Sequence, residues 1–235
     1  MAGAAKPAAV LDIGGRRVPV RLRRHGRARR IVLRLERDGQ GIVVTLPKRV
    51  PEAEGVAWAR NQETWIARRL ANLPERREFH DGAVIPFAGE EHVIRHHAEA
   101  RRGVWREAGA IMVSGRAEHL SRRVHDWLRR QAREQLTVRV GEAAASLDAR
   151  PGRITVRDTR SRWGSCASNG NLSFCWRLIL APPFVLDYVV AHEVAHLIEP
   201  NHGPAFWRTV AAINPDTERA RAWLRENGEA LHFYG

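Results

Sequence analysis

Cysteine is scarce. Cys166 and Cys175 are the two in the chain, too few for a disulfide framework. Both are expected to be reduced thiols, with Cys166 a small buried core residue or, less simply, a thiol that could approach a metal as an alternative or inhibitory ligand. No apolar run is long enough to cross a bilayer, since the longest, near residues 178–190, is broken by Pro182, Pro183 and Asp187. No hydrophobic leader follows Met1, so the expected location is the cytoplasm, with no membrane partner. Neither a P-loop nor a GxGxxG pattern is present, which removes the commonest signatures of a nucleotide-binding fold. Lysine is nearly absent too: Lys6 and Lys48 are two of 39 basic residues.

What the chain does contain is arginine. The formal net charge is +13, and between Arg16 and Arg37 ten of 22 residues are arginine against one acid, Glu36. Such a cluster would attract DNA, nucleotides or acidic protein segments through a long-range field that salt weakens. The competing reading is an arginine-for-lysine bias that decorates the surface without a partner. Both stay open.

A hydrophobic content of 44% over 235 residues suffices for one sizeable core or two small ones. Residues 1–9 read as a disordered tail. Alternating apolar positions at Ile31, Leu33, Leu35 and at Ile42, Val44, Leu46 flank Asp38-Gly39, a hairpin pattern, and a further strand is expected over residues 18–22. Pro51 opens a helix through Val56, Trp58, Trp65, Ile66 and Leu70 that stops at Asn72 and Pro74. Short strands follow near residues 83–87, 92–96, 105–108 and 111–113, separated by glycine turns. Residues 1–115 are therefore expected to form a β-rich accessory lobe with one helix. Residues 116–235 are expected to hold a long helix over 117–146, strands at 154–157 and 171–176 with a loop at 160–170, and three further helices. The last of these is expected to run over 217–227 and to end at Gly228. The fold class is α+β.

The second region carries His192-Glu-Val-Ala-His196, with His202 six residues further on. On a helix, His192 and His196 project from one face, so two imidazole nitrogens can share an ion at ~2.0–2.1 Å. Glu193 points roughly 100° around the axis, which suits a carboxylate that touches water without becoming a ligand. Pro200 is expected to end the helix and Asn201 to turn the chain back, so that His202 completes the set and a fourth position stays open. The apolar context of Val185, Val189, Val190, Val194 and Leu197 makes three unsatisfied polar side chains untenable without a ligand. The expected cofactor is zinc, which lowers the pKa of bound water from ~15.7 to near 7, with Glu193 taking the proton. Helix, small sheet and active-site helix make a zincin-like catalytic domain.

At these residues a resemblance enters. Arg162-Trp-Gly-Ser-Cys166, Asn171-Leu-Ser, Trp176-Arg-Leu-Ile, Ala181-Pro, Tyr188-Val-Val-Ala-His-Glu-Val-Ala-His196, Asn201-His202 and Phe206-Trp207 resemble the YgjP-like zinc metallopeptidases, cousins of the SprT-like proteases. The resemblance spans roughly Arg21 to His232, and it implies a zinc metallohydrolase acting as an endopeptidase on peptide or protein substrates. The histidine spacing also matches the metzincin pattern. However, position 199 is Glu where that pattern needs glycine, and Met1 and Met112 both precede the motif, leaving no Met-turn.

A developing oxyanion needs an electrophile beside zinc. Tyr188, four residues before His192 on the same helical face, is one candidate; Arg160 and Arg162, in the loop that the resemblance places beside the site, are the others. Core packing is the plainer role for Tyr188, and loop buttressing for Arg162. Residues 171–176 are expected to be an edge strand on which an extended peptide adds. One alternative is a metal-dependent nucleoside triphosphate pyrophosphatase with Arg160, Arg162 and the basic lobe gripping phosphates. Another is a nucleic-acid-binding module with structural zinc, against which the open fourth position argues. No pattern specifies an oligomeric state.

Overall fold

The computed structural model describes residues 7–36, 39, 41–71, 76–159 and 161–235. Two compact units divide at Glu75 and Arg76.

In the first unit, β1 (Ala9–Ile13), β2 (Arg16–Arg24), β3 (Val32–Leu35) and β4 (Ile42–Leu46) form a sheet in the order β1-β2-β4-β3. Two antiparallel hairpins join through the parallel pair β2 and β4. Alternation buries Val18, Val20, Ile42, Val44 and Leu46 on one face. The hairpin at Ile42 and Leu35 is as expected, although Asp38 lies outside the described residues. Strand β1 was not expected. It begins inside the supposed tail because Leu11 and Ile13 enter the core and Gly14-Gly15, both at positive φ, closes a tight turn back onto β2.

The single helix expected after Pro51 is two, α1 (Glu52–Arg60) and α2 (Glu63–Ala71), separated at Asn61 and Gln62. Ala59 of α1 and Ile66 and Leu70 of α2 share the core with the sheet. The proposed stop at Asn72 and Pro74 lies outside the described residues. Within the arginine cluster, Arg21 pairs with Glu36, and Arg24 donates to the carbonyls of Lys48 and Val50. Arg17, Arg23, Arg27, Arg29, Arg30 and Arg34 are exposed, with no ion pair among the described residues.

The second unit opens with a sheet of the same topology. β5 (Val84–Phe87), β6 (Glu90–His97), β7 (Val104–Glu107) and β8 (Ala110–Ser114) run in the order β5-β6-β8-β7, with β6 and β8 parallel. Helix α3 (Leu120–Ser146) follows, burying Val124, Trp127, Leu128, Leu136 and Val140. Ile85, Ile94, Ile111 and Val113 of this sheet belong to the same core as α3 and the remainder of the chain. The unit boundary therefore falls at residue 75, about forty residues before the expected one at 115, because these strands share their core with the helices that follow.

A third sheet holds β9 (Ile154–Arg157), β10 (Gly164–Cys166) and β11 (Leu172–Cys175) in the order β10-β11-β9. This corrects two expectations. The loop at 160–170 contains strand β10, and β11 is the central strand rather than an edge. The outer strands are β10, antiparallel to β11, and β9, parallel to it. Three short helices complete the chain: α4 (Pro183–Ala195), α5 (Pro204–Ile213) and α6 (Thr217–Leu231). The C-terminal residues are tied back by Arg77, whose N–H donates to Phe233, and by the buried Arg177, which donates to the Tyr234 carbonyl and to Asp158. Both cysteines are free, and no helix among the described residues is long and apolar enough to cross a membrane.

Candidate active site

Helix α4 begins on Pro183, a residue suited to the first turn because no intrahelical acceptor awaits its missing N–H. The helix is apolar nearly all round, and Val185, Val189, Val190 and Val194 are buried. It ends at Ala195, short of the expected stop at Pro200. Beyond it the bonds tighten to i→i+3, from Leu197 N–H to Val194 and from Ile198 N–H to Ala195. His196 nonetheless keeps helical dihedrals of φ −66° and ψ −13°, so its i, i+4 relation to His192 survives.

The turn then delivers His202. Its Nε2 lies 3.1 Å from Nε2 of His192, and one nitrogen from each of His192, His196 and His202 falls within 4.8 Å of the other two. His196 sets its Nδ1 against the Glu199 carbonyl at 3.0 Å, which makes that nitrogen the donor and leaves Nε2 to face the other two histidines. Burial, then the neighbouring His196 and His202, lower the His192 pKa to about 4, so its ring is neutral at cellular pH. Three converging imidazoles form a donor set that fits a divalent transition-metal ion. No cysteine or carboxylate joins this group among the described residues.

Phe206 of α5 supplies the floor. It is fully buried, and its ring centroid lies 4.9, 4.5 and 4.7 Å from those of His192, His196 and His202. Trp207 stands 5.9 Å from His192 and His202. Neither aromatic was singled out as a site residue in the sequence; the available signal was an aromatic pair opening a helix four residues after the third histidine of the motif.

Glu193 is 6% exposed and lies against β10. The Cys166 backbone N–H donates to its carboxylate, and Gly164 leaves the space it fills. Burial raises the Glu193 pKa to about 7, while the Cys166 N–H and the Arg162 charge pull it back down. Trp163 stacks on the His232 ring at 4.7 Å and 20°, anchoring the start of β10. Gly228 lies inside α6 rather than ending it; a side chain there would meet the Trp163 indole at 3.3 Å. The Trp-Gly-Ser-Cys segment is thus a buttress, a gap and a hydrogen bond around one carboxylate.

Tyr188 is buried one turn before His192, the two rings 6.0 Å apart. Burial raises its hydroxyl pKa, against the opposing charge of Arg221. Arg221, not expected from the sequence, lies 4.9 Å from the Trp207 ring centroid and pairs with Glu218 at 2.7 Å. Arg160 lies outside the described residues.

Among solved structures, the crystal structure of the metallopeptidase zymogen of Pyrococcus abyssi abylysin aligns with 39% of this chain and 90% of its own, at 22% identity and a TM-score of 0.35. That likeness is too remote to inform the fold. No curated protein matches the chain. The sequence profile of the YgjP-like metallopeptidase domain matches residues 29–227, a span that contains the three-histidine cluster, Glu193 and the strand that flanks it. The chain belongs to the YgjP-like metallopeptidase family.

Proposed function

We propose that this protein is a zinc-dependent endopeptidase with a zincin-like catalytic domain, in which His192, His196 and His202 hold the metal and Glu193 is the general base. The observation that carries this reading is the placement of a buried, hydrogen-bonded carboxylate next to three converging imidazole nitrogens. Zinc is favoured because a set of three neutral histidines with an open fourth position is a common catalytic ligand set for it. Bound there, it would supply Lewis acidity to a water or carbonyl oxygen.

Glu193 accepts a proton at a carboxylate oxygen and releases it to the leaving nitrogen, a transfer suited to a group whose pKa lies near neutrality. The Cys166 N–H holds the carboxylate in one orientation during both transfers. Tyr188 keeps its hydroxyl proton well above neutral pH and so can donate to a developing oxyanion, with Arg162 as the cationic partner. The outer strand β10 receives an extended substrate, since pairing Trp163 with Cys175 and Ala167 with Asn171 turns the N–H and C=O of Gly164 and the C=O of Cys166 away from β11, while the Cys166 N–H stays on Glu193.

The test is hydrolysis of a quenched-fluorescent peptide library by the zinc-loaded chain, with nucleoside triphosphates assayed in parallel. Peptide turnover that disappears in Glu193→Gln supports the reading. Release of pyrophosphate without any peptide cleavage would replace it with the pyrophosphatase alternative.

A further inference from the structure

The third sheet has two unlike faces. Ile154, Val156, Leu172 and Phe174 pack into the core, while the opposite face presents a row of hydroxyls. The register fixes that row: Ser165 of β10 faces Ser173 of β11, which faces Thr155 of β9. Side chains two residues apart share a strand face, so Arg157 and Arg153 flank Thr155 on the same side. With Arg162, they rim a concavity of about 320 Å³ over this face.

No carboxylate lines that concavity among the described residues. Asp158, next to Arg157 in the chain, is already paired with the buried Arg177. Arg153, Arg157 and Arg162 are exposed, and none has an ion pair among the described residues. Arg162 also faces Glu193, but Arg153 and Arg157 stand beside hydroxyl and amide groups with no ion pair among the described residues, which makes a surface complementary to carboxylates. Strand β10 separates the concavity from the reacting centre by its own thickness. Ser165 lies between Gly164, which packs on Glu193, and Cys166, whose N–H holds it.

We propose that this face selects acidic side chains of an extended peptide lying along β10, making the protein an endopeptidase for acidic segments. The proposal rests on the peptidase reading above for the identity of the ligand backbone. A peptide paired with β10 directs alternate side chains onto the Ser165 face, where Arg153, Arg157 and Arg162 meet them. The main-chain groups of Gly164 and the Cys166 carbonyl favour a peptide over a nucleotide, because only a peptide uses an open strand edge and the adjoining face together.

The test titrates the full chain carrying Glu193→Gln, which prevents cleavage, with a fluorescein-labelled Ala-Glu repeat decapeptide and its Ala-Gln twin, read by anisotropy. The acidic peptide is expected to bind about tenfold more tightly, roughly the upper end of what two exposed arginine–carboxylate contacts supply. Arg153→Gln with Arg157→Gln should erase that preference and leave the Ala-Gln affinity unchanged. Both residues are exposed, so folding should be unaffected. Equal affinity for the two peptides, including no binding of either, overturns the proposal. So does a preference that survives the double variant, which would place the selectivity elsewhere. Tripolyphosphate that outcompetes the acidic peptide and depends on the same two arginines would make the face a phosphate site and overturn it as well. An acidic preference accompanied by no cleavage of any peptide by the zinc-loaded wild type would count against the proposed function while leaving the selectivity standing.

Discussion

A side chain on Gly164 would place its Cβ 2.6 Å from Oε1 of Glu193, closer than non-bonded atoms approach. The strand and the helix therefore meet through a gap that only glycine leaves, and the carboxylate occupies it. Gly164→Ala should displace Glu193 without touching any histidine. We expect turnover to fall on the order of 10²-fold, the effect of a displacement of about 1 Å, with metal content unchanged. Kinetics paired with metal analysis check this, and full activity would show that the carboxylate has no fixed post.

Glu193→Gln should keep the metal and lose 10²–10⁴-fold in turnover, the usual contribution of a general acid or base. Wild-type kcat/KM should rise with pH through about 7, as the carboxylate ionises.

The same group makes a stability prediction of opposite direction. Burial raises the Glu193 pKa from 4.5 to about 7, so the folded state binds this proton more tightly than the unfolded state. The stabilisation from the proton is complete below pH 4.5 and is lost as pH rises through 7. Metal-free Glu193→Gln should then be more stable than metal-free wild type at pH 8, by up to about 3 kcal/mol, with the gap closing below pH 4.5. Urea titrations at the two pH values measure it; a gap independent of pH would assign the difference to packing.

Legibility in the sequence followed the range of the interactions. His192, His196 and Glu193 were readable because helical periodicity fixes their relation over one turn, and His202 because six residues allow one short reversal. The four strands at 84–114 announced themselves by alternation and glycine turns. Strand β10 did not: Gly164, Ser165 and Cys166 are too few for a period, and they form a strand because β11 offers a partner. That omission also misassigned β11 as an edge. Gly228 looked like a helix terminus since glycine commonly ends helices, whereas its use here, space for the Trp163 ring, depends on a contact across 65 residues. Phe206 and Arg221 escaped for the same reason: their roles are set by where α5 and α6 pack.

Phe206→Ala should cost about 3–5 kcal/mol of stability, typical for emptying a buried phenyl site. It should also loosen all three imidazoles at once, because one ring packs against each of them. Phe206→Leu keeps most of the volume and should retain the fold while lowering metal affinity. Chelator competition on the leucine variant reads this, and unchanged affinity would reduce Phe206 to a core residue.

Arg23, Arg27 and Arg29 are exposed and have no ion pairs among the described residues, which leaves them available to a polyanion. If the cluster recruits DNA, binding should weaken linearly with log salt, by about 0.9 per phosphate contacted. Charge reversal at the three positions should flatten that slope while cleavage of a short peptide continues. Absence of DNA binding at low salt would leave the arginines as a solvated surface.

The most direct measurement of the central claim is the metal content of the purified full chain and of His192→Ala, His196→Ala and His202→Ala, by elemental mass spectrometry, with circular dichroism to establish folding. The account expects one zinc per wild-type chain and a large loss of zinc in each folded single variant. Equal zinc content in all four proteins would contradict it.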